Sequence, residues 1–241
     1  MNISARKLQA LFKKDFTDYF KNPALVVCSL IPLLFVVLYR FINIPNLQGE
    51  LDDFLLSLGM VVNSSMCALI IPATSIAEEK EKFTLRTLIL SNVSAIEFFL
   101  AKILVTTVIV MLGNVLIFFV SGSPVKALPV YILCSFMGNV CAVMLSAVIG
   151  IMSRDQASSS ALQVPVMLLF VLPPVFASAG KVLELLSEVT PYGAMLRLYY
   201  GLSEGGIPAE KMIFAAGVIT TWILASLLIF ASLYKQKGTD N

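Results

Sequence analysis

Histidine is absent from the 241 residues of this sequence, and cysteine occurs only four times. The cysteines, Cys28, Cys67, Cys134 and Cys141, lie within apolar runs and lack the paired spacing of metal ligands. Zinc and most other transition metals are bound through histidine or clustered cysteine. We therefore expect no metal site, and we assign the cysteines to apolar packing.

Charged residues are also scarce. They make up 13% of the chain, about half the share found in soluble domains, whereas 58% of the residues are hydrophobic. The 17 Lys and Arg exceed the 15 Asp and Glu by a net charge of only +2, which is too small for a nucleic-acid-binding surface. The composition predicts a protein that lies in a lipid bilayer and has no nucleic-acid partner.

Six apolar stretches are long enough to cross a bilayer, which takes about 20 residues. They predict transmembrane spans at residues 24–40, 54–77, 103–125, 127–153, 156–180 and 212–234. More than twenty amphipathic residues precede the first span and no cleavage site follows it, so we expect no signal peptide. The predicted fold class is an all-α membrane protein with a single transmembrane domain over residues 1–241.

The distribution of Lys and Arg predicts the orientation. With the N-terminus in the cytoplasm, twelve of the 17 fall in cytoplasmic segments and five fall outside. Cytoplasmic loops retain an excess of positive residues. We therefore expect a multi-pass protein of the cell membrane with both termini in the cytoplasm.

Residues 1–23 are amphipathic. Large apolar side chains recur there at helical spacing, at Leu8, Leu11, Phe12, Phe16, Tyr19 and Phe20. This pattern predicts a helix lying in the membrane interface. A disordered basic tail is the alternative.

The longest cytoplasmic connection covers residues 78–94. It is charged at first and then amphipathic, which favours a short helix that docks on a partner over a solvated loop. The candidate docking residues are Glu78, Glu79, Glu81, Phe83, Thr84, Leu85, Leu88 and Ile89. Ser94 and Glu97 follow with the spacing of a capping box, which predicts the start of the next helix.

Residues 181–207 contain two short amphipathic patterns on either side of Thr190-Pro191. Each is too short to span a bilayer, so together they predict a re-entrant or interfacial helical hairpin on the outer side. In the preceding span, Pro165 and the pair Pro173-Pro174 predict kinks or breaks.

Two further sets of residues lie within the spans. Small residues at four-residue steps in the fourth span predict close helix packing, either within the chain, which we favour, or with a second protomer. These residues are Gly138, Ala142, Ser146 and Gly150. Polar residues that either line a path or bond across helices are Asn63, Ser64, Asn114, Asn139 and Gln163.

The sharpest motif runs from Ile76 to Leu88 (IAEEKEKFTLRTL), followed by SNVS at 91–94 and by Lys102. With the six spans, the interfacial helix and the outer hairpin, it resembles the membrane subunit of a type-2 ABC transporter. In that family a Glu/Arg-rich stretch, a Thr-Leu step and a Pro/Val-Ser break mark the coupling helix that contacts the ATPase. This sequence has Phe83 and Asn92 where the family often has Gly and Pro.

The resemblance implies ATP-binding cassette ATPase subunits and a second membrane subunit as partners. No G-x-x-x-x-G-K-[ST] motif occurs in the sequence, so ATP and Mg would be bound by the partner, and we expect no cofactor in this chain. Without histidine or paired carboxylates in a span, no catalytic residue is expected.

The spans carry no charged residue deep in their interiors, which favours an external energy source over ion coupling. We therefore expect an ATP-driven permease that exports an amphiphilic substrate such as a drug, peptide or lipid. An ATP-independent secondary transporter or channel is the alternative.

Overall fold

The computed structural model describes residues 4–42, 48–84, 93–203 and 205–239, and within these ranges no residue lies in a β-strand. The same ranges contain nine α-helices. They are α1 (Ala5–Lys21), α2 (Pro23–Phe41), α3 (Gln48–Glu81), α4 (Ala95–Ser121), α5 (Leu128–Met152), α6 (Gln156–Val175), α7 (Lys181–Val189), α8 (Pro191–Ser203) and α9 (Ala209–Thr239).

Six helices of this described part, α2 to α6 and α9, are long and apolar enough to cross a membrane. The prediction of an all-α protein with six spans is confirmed. The third helix is longer than its predicted span of 54–77, because α3 continues through the charged residues up to Glu81. Helical hydrogen bonds do not depend on the side chain, so a helix can extend beyond its apolar segment.

The centre of the bundle is formed by α3 and α5. In their most apolar stretches 67% and 61% of the residues are buried inside the protein, against 17–33% in the other four long helices. The helix α3 packs against α2, α4, α5 and α6. The outer helices therefore expose most of their apolar surface, which suits contact with lipid or with another membrane protein.

Local sequence signals set several helix ends. The predicted capping box of α4 is confirmed: Ser94 Oγ accepts a hydrogen bond from Glu97 N (3.2 Å), and Glu97 Oε2 accepts one from Ser94 N (3.0 Å). The helix α2 begins at Pro23 after the N-cap residue Asn22. The helix α6 continues through Pro165 and ends directly after Pro173-Pro174.

The short helices α7 and α8 form a tight pair. A Cβ atom on Gly193 would lie 2.0 Å from Ser187 O, so only glycine allows this approach. Trp222 Nε1 of α9 donates a hydrogen bond to Val189 O (2.8 Å), and Tyr200 Oη donates one to Asp53 O near the start of α3 (3.1 Å). The pair thus lies at the end of the bundle where α3 begins, opposite the end where α3 finishes.

Candidate functional site

Charged side chains from three helices meet where α3 ends. Lys102 Nζ of α4 lies 2.9 Å from Asp15 Oδ1 of α1 and 3.0 Å from Glu79 Oε1 of α3. It also donates a hydrogen bond to Ser75 Oγ (2.6 Å). Each of the three charged residues is more than nine-tenths buried. Buried charges are tolerated when they are paired and hydrogen-bonded, so this cluster holds α1, α3 and α4 together.

Lys14 covers the cluster from the solvent side. Its ammonium group pairs with Glu79 and lies 3.3 Å from Asp15 Oδ1. Burial opposes the charged form of Lys14, but attraction and hydrogen bonds from Glu79 and Asp15 outweigh that effect and raise its pKa above the ordinary value. The four residues Lys14, Asp15, Glu79 and Lys102, called the buried charge cluster below, therefore balance two positive against two negative charges.

Of this cluster, the sequence predicted a functional role only for Glu79. A signal for Asp15 was present, because Leu11, Asp15 and Tyr19 recur every four residues and all three are buried on one face of α1. A carboxylate in the middle of an apolar stripe indicates a buried positive partner. The identity of that partner, Lys102, could not be read from spacing along the chain.

The neighbours of Glu79 in sequence bind other helices. Glu78 Oε2 accepts a hydrogen bond from Asn22 Nδ2 just before α2 (3.4 Å). Lys80 Nζ donates to Ile151 O (2.7 Å) and to Ser153 O, where α5 ends. Glu81 Oε2 accepts from the backbone N–H of Gln156, the first residue of α6 (3.2 Å). Lys80 and Glu81 thus bind terminal carbonyl and amide groups that have no partner within their own helices.

The predicted docking residues are only partly covered by the structure. Leu85, Leu88 and Ile89 lie outside the described residues. Glu79 faces the lysines of its own chain, whereas Glu81, Phe83 and Thr84 are exposed. Phe83 has a φ of 56°, in the left-handed region that glycine adopts most easily. This conformation ends α3 and gives a physical reason for the glycine that the family often has here.

The polar residues predicted as path lining form hydrogen bonds between helices. Asn63 Nδ2 donates to Asn114 Oδ1 (2.8 Å), and Asn114 Nδ2 donates to Ser64 Oγ (3.1 Å), which joins α3 to α4. Gln163 Nε2 of α6 donates to Thr74 Oγ1 of α3 (3.3 Å). All these residues are buried.

The fifth predicted lining residue, Asn139, differs from the others. Its amide nitrogen lies 3.7 Å from Met111 Sδ, and its buried Oδ1 has no hydrogen-bond partner among the described residues. Asn139 therefore retains an acceptor that a polar ligand group or a water molecule could fill.

The small residues of α5 contact helices of the same chain. Ser146 Oγ accepts from Ala73 N (2.9 Å) and donates to Leu69 O (2.5 Å), which bridges one turn of α3 beside Pro72. A Cβ atom on Gly150 would lie 3.1 Å from Ala73 Cα, and one on Gly138 would lie 2.6 Å from Met195 Sδ of α8. Ala142 is fully buried.

Comparison with known proteins identifies the family of this chain. The sequence matches the family model for the ABC-2 type transporter over residues 6–197, a region that includes α1, the buried charge cluster and the connection at 78–94. No curated protein matches the sequence. Since the matched region covers most of the chain, the protein belongs to the ABC-2 type transporter family and is a membrane permease subunit of an ABC transporter.

Proposed function

We propose that this permease exports an amphiphilic substrate such as a drug, a peptide or a lipid, and that a separate ATP-binding subunit supplies the energy. Membership of the ABC-2 family supports this proposal over a secondary transporter or channel. Because the sequence has no P-loop motif, ATP and Mg²⁺ would be bound by the partner. Apolar spans with scattered amides and hydroxyls suit an amphiphilic substrate.

The end of α3 carries the proposal of an ATPase partner. Phe83 is 77% exposed there, and Glu81 beside it is exposed as well. Large apolar side chains supply most of the affinity of an interface, whereas surrounding charges set orientation and encounter rate. An exposed aromatic ring on a charged helix end, beyond the apolar part of the span, is therefore suited to dock on a soluble subunit.

Residues 78–94 form the coupling segment in this proposal. Phe83, Leu85, Leu88 and Ile89 are its proposed apolar anchors, and Glu78, Glu81 and Thr84 are its proposed polar contacts. Glu79 supports the segment from within the chain, because it pairs with Lys14 and Lys102 and does not face the partner.

The same end of the bundle faces the cytoplasm in our proposal. The excess of Lys and Arg in its segments supports this orientation, which also places both termini inside. The helix α1 then lies in the inner membrane interface, where its exposed Phe20 contacts lipid and its exposed Lys13 and Lys21 face headgroups. The pair α7–α8 lies on the outer side as a re-entrant or interfacial hairpin.

A second membrane subunit completes the transporter in this proposal, with the substrate path between the two subunits. The mostly exposed faces of α2, α6 and α9 offer surface for such a contact. Asn139, with its free acceptor, is the best supported of the lining residues; Asn63, Ser64, Asn114 and Gln163 would join the path if their hydrogen bonds open during transport.

Replacing Leu85 and Leu88 by Asp tests the role of the coupling segment. We expect normal insertion, since both residues lie beyond the apolar span, but association with the ATPase weaker by about 2 kcal/mol, roughly thirtyfold. Transport should fall in proportion. Co-purification and ATP-dependent transport in vesicles, at equal membrane levels, measure both.

Thr87→Asp is the matched control, because it adds a charge to the same segment without removing an apolar side chain. It should lower association much less than the double variant. Unchanged association and transport in the double variant would show that the segment is only a connector.

A further inference from the structure

The four residues Glu78 to Glu81 together contact five different helices. Glu78 binds Asn22 at the start of α2; Glu79 binds Lys14 on α1 and Lys102 on α4. Lys80 binds the end of α5, and Glu81 binds the start of α6. Consecutive residues of an α-helix point about 100° apart, so four in a row cover its whole circumference. The last turn of α3 is thus fixed on all sides by polar contacts.

These contacts join helix ends that are distant in sequence. Lys80 donates hydrogen bonds to carbonyl groups at the end of α5, and Glu81 accepts one from a backbone amide at the start of α6. The helix α1 is held to α4 a second time, because Ser4 N donates a hydrogen bond to Glu97 Oε1 (2.8 Å). One turn of α3 therefore contacts several neighbouring helix ends at once.

Stability alone does not require this arrangement. Replacing a whole buried ion pair by apolar residues of similar size is often neutral or stabilising, so folding energy alone does not explain why charges occupy these positions. The apolar residues of α3, such as Leu69 and Ile76, already pack tightly against the bundle. The four charged residues add specific polar partners for the last turn of α3, just before Phe83.

We propose that Glu78 to Glu81, the first four residues of the coupling segment, form a transmission hub: a displacement of the rest of that segment passes through this turn to α1, α2, α4, α5 and α6, with Glu79 in the buried charge cluster as its central link. This proposal rests on the proposed function, since the ATPase subunit would supply the displacement. The hub residues are positioning residues, and none of them needs to contact the substrate.

The central test removes the link from α3 while keeping the buried charges balanced. The double variant Glu79→Met/Lys14→Met leaves Lys102 and Asp15 paired at 2.9 Å, whereas the single variant Glu79→Met leaves an excess positive charge. If Glu79 served only to balance the buried charges, transport should recover in the double variant. The hub predicts that transport stays impaired in the double variant.

The measurements are co-purification with the ATPase subunit, ATP hydrolysis by the purified complex, and transport in proteoliposomes. In the double variant we expect near-normal association and hydrolysis, but about tenfold less transport per ATP, within the range of known coupling energies. The control is Lys13→Met/Glu184→Met, which makes the same changes at exposed positions. If the Glu79→Met/Lys14→Met variant transported as much substrate per ATP as the wild type, the hub proposal would be refuted.

Failure of the proposed function gives a different result. If the wild-type protein neither binds nor stimulates an ATPase, the hub proposal is tested by measuring amide hydrogen exchange of the permease alone in lipid nanodiscs. The double variant should then exchange amide hydrogens about tenfold faster than the control in both α1 and the first turns of α4. Faster exchange confined to α3 would refute the hub. If the Met pair does not accumulate, Glu79→Gln/Lys14→Gln is measured in the same way.

Discussion

Lys102 on α4 donates a 3.0 Å hydrogen bond to Glu79 on α3, and both side chains are buried. Lys102 lies within the apolar helix Ile96–Ser121, less than two turns from its start. In a bilayer an isolated lysine at this depth would be costly, but here two carboxylates and a hydroxyl surround it. The pair therefore makes a charge compatible with a membrane helix and joins two spans.

Removal of Lys102 should strongly destabilise the protein. In Lys102→Met, Asp15 and Glu79 keep only the half-exposed Lys14 as a positive partner. Breaking a buried pair by removing one member typically costs 3–5 kcal/mol, and we expect about 3 kcal/mol here. Denaturant unfolding in detergent measures the loss, with Lys13→Met as the exposed control. A loss equal to that of the control would contradict the prediction.

Phe83 should tolerate glycine better than alanine. Its φ of 56° costs an L-residue about 1 kcal/mol relative to glycine. Phe83→Gly and Phe83→Ala both remove the exposed ring, so the difference between their unfolding free energies isolates the backbone contribution. The glycine variant should be more stable than the alanine variant by about 1 kcal/mol. Equal stabilities would show that the residue changes conformation freely. Association with the ATPase should fall in both variants.

Gly193 should not tolerate a side chain. A Cβ atom would meet Ser187 O at 2.0 Å, so Gly193→Ala must push α7 and α8 apart, at a cost of about 1–3 kcal/mol. Gly217→Ala on α9 is the control, because a Cβ atom there meets no atom within 4 Å. Thermal unfolding in detergent compares the two. Equal midpoints would mean that the pair is not packed as closely as described.

The raised pKa of Lys14 predicts a pH dependence. A lysine whose pKa is raised on folding contributes stability that is present below its ordinary pKa of 10.5 and is lost as the pH rises through the folded value. The unfolding free energy of the wild type should therefore fall more steeply above pH 10.5 than that of Lys14→Met. Parallel curves from pH 9 to about 11.5 would exclude this contribution.

The proposed orientation can be checked by labelling single introduced cysteines in intact membranes. Cysteines at Thr87 and Gly238 should react only from the cytoplasmic side, and cysteines at Gln48 and Ser203 only from outside. The reasoning is the excess of Lys and Arg in the segments assigned to the cytoplasm. Labelling at Gln48 from the cytoplasmic side would invert the topology and move the coupling segment outside the cell.

Sequence alone determined the features that depend on contiguous residues. Six apolar stretches predicted six spans, because span length follows from bilayer thickness and helical rise. The capping box at Ser94 and Glu97 was predicted because both members lie within one turn. The motif from Ile76 to Leu88, together with the six spans, the interfacial helix and the outer hairpin, predicted the family that the comparison identified.

Only the tertiary structure decided which charged residues meet. Asp15 and Lys102 are 87 residues apart and lie on different helices, so no spacing rule connects them. The same holds within Glu78 to Glu81: the sequence shows four charged residues in a row, but their directions differ by about 100° from one to the next. Whether each carboxylate faces a partner subunit or a neighbouring helix depends on how α3 is rotated in the bundle. In the folded bundle that rotation buries Glu79 against Lys14 and Lys102 and leaves Glu81 exposed.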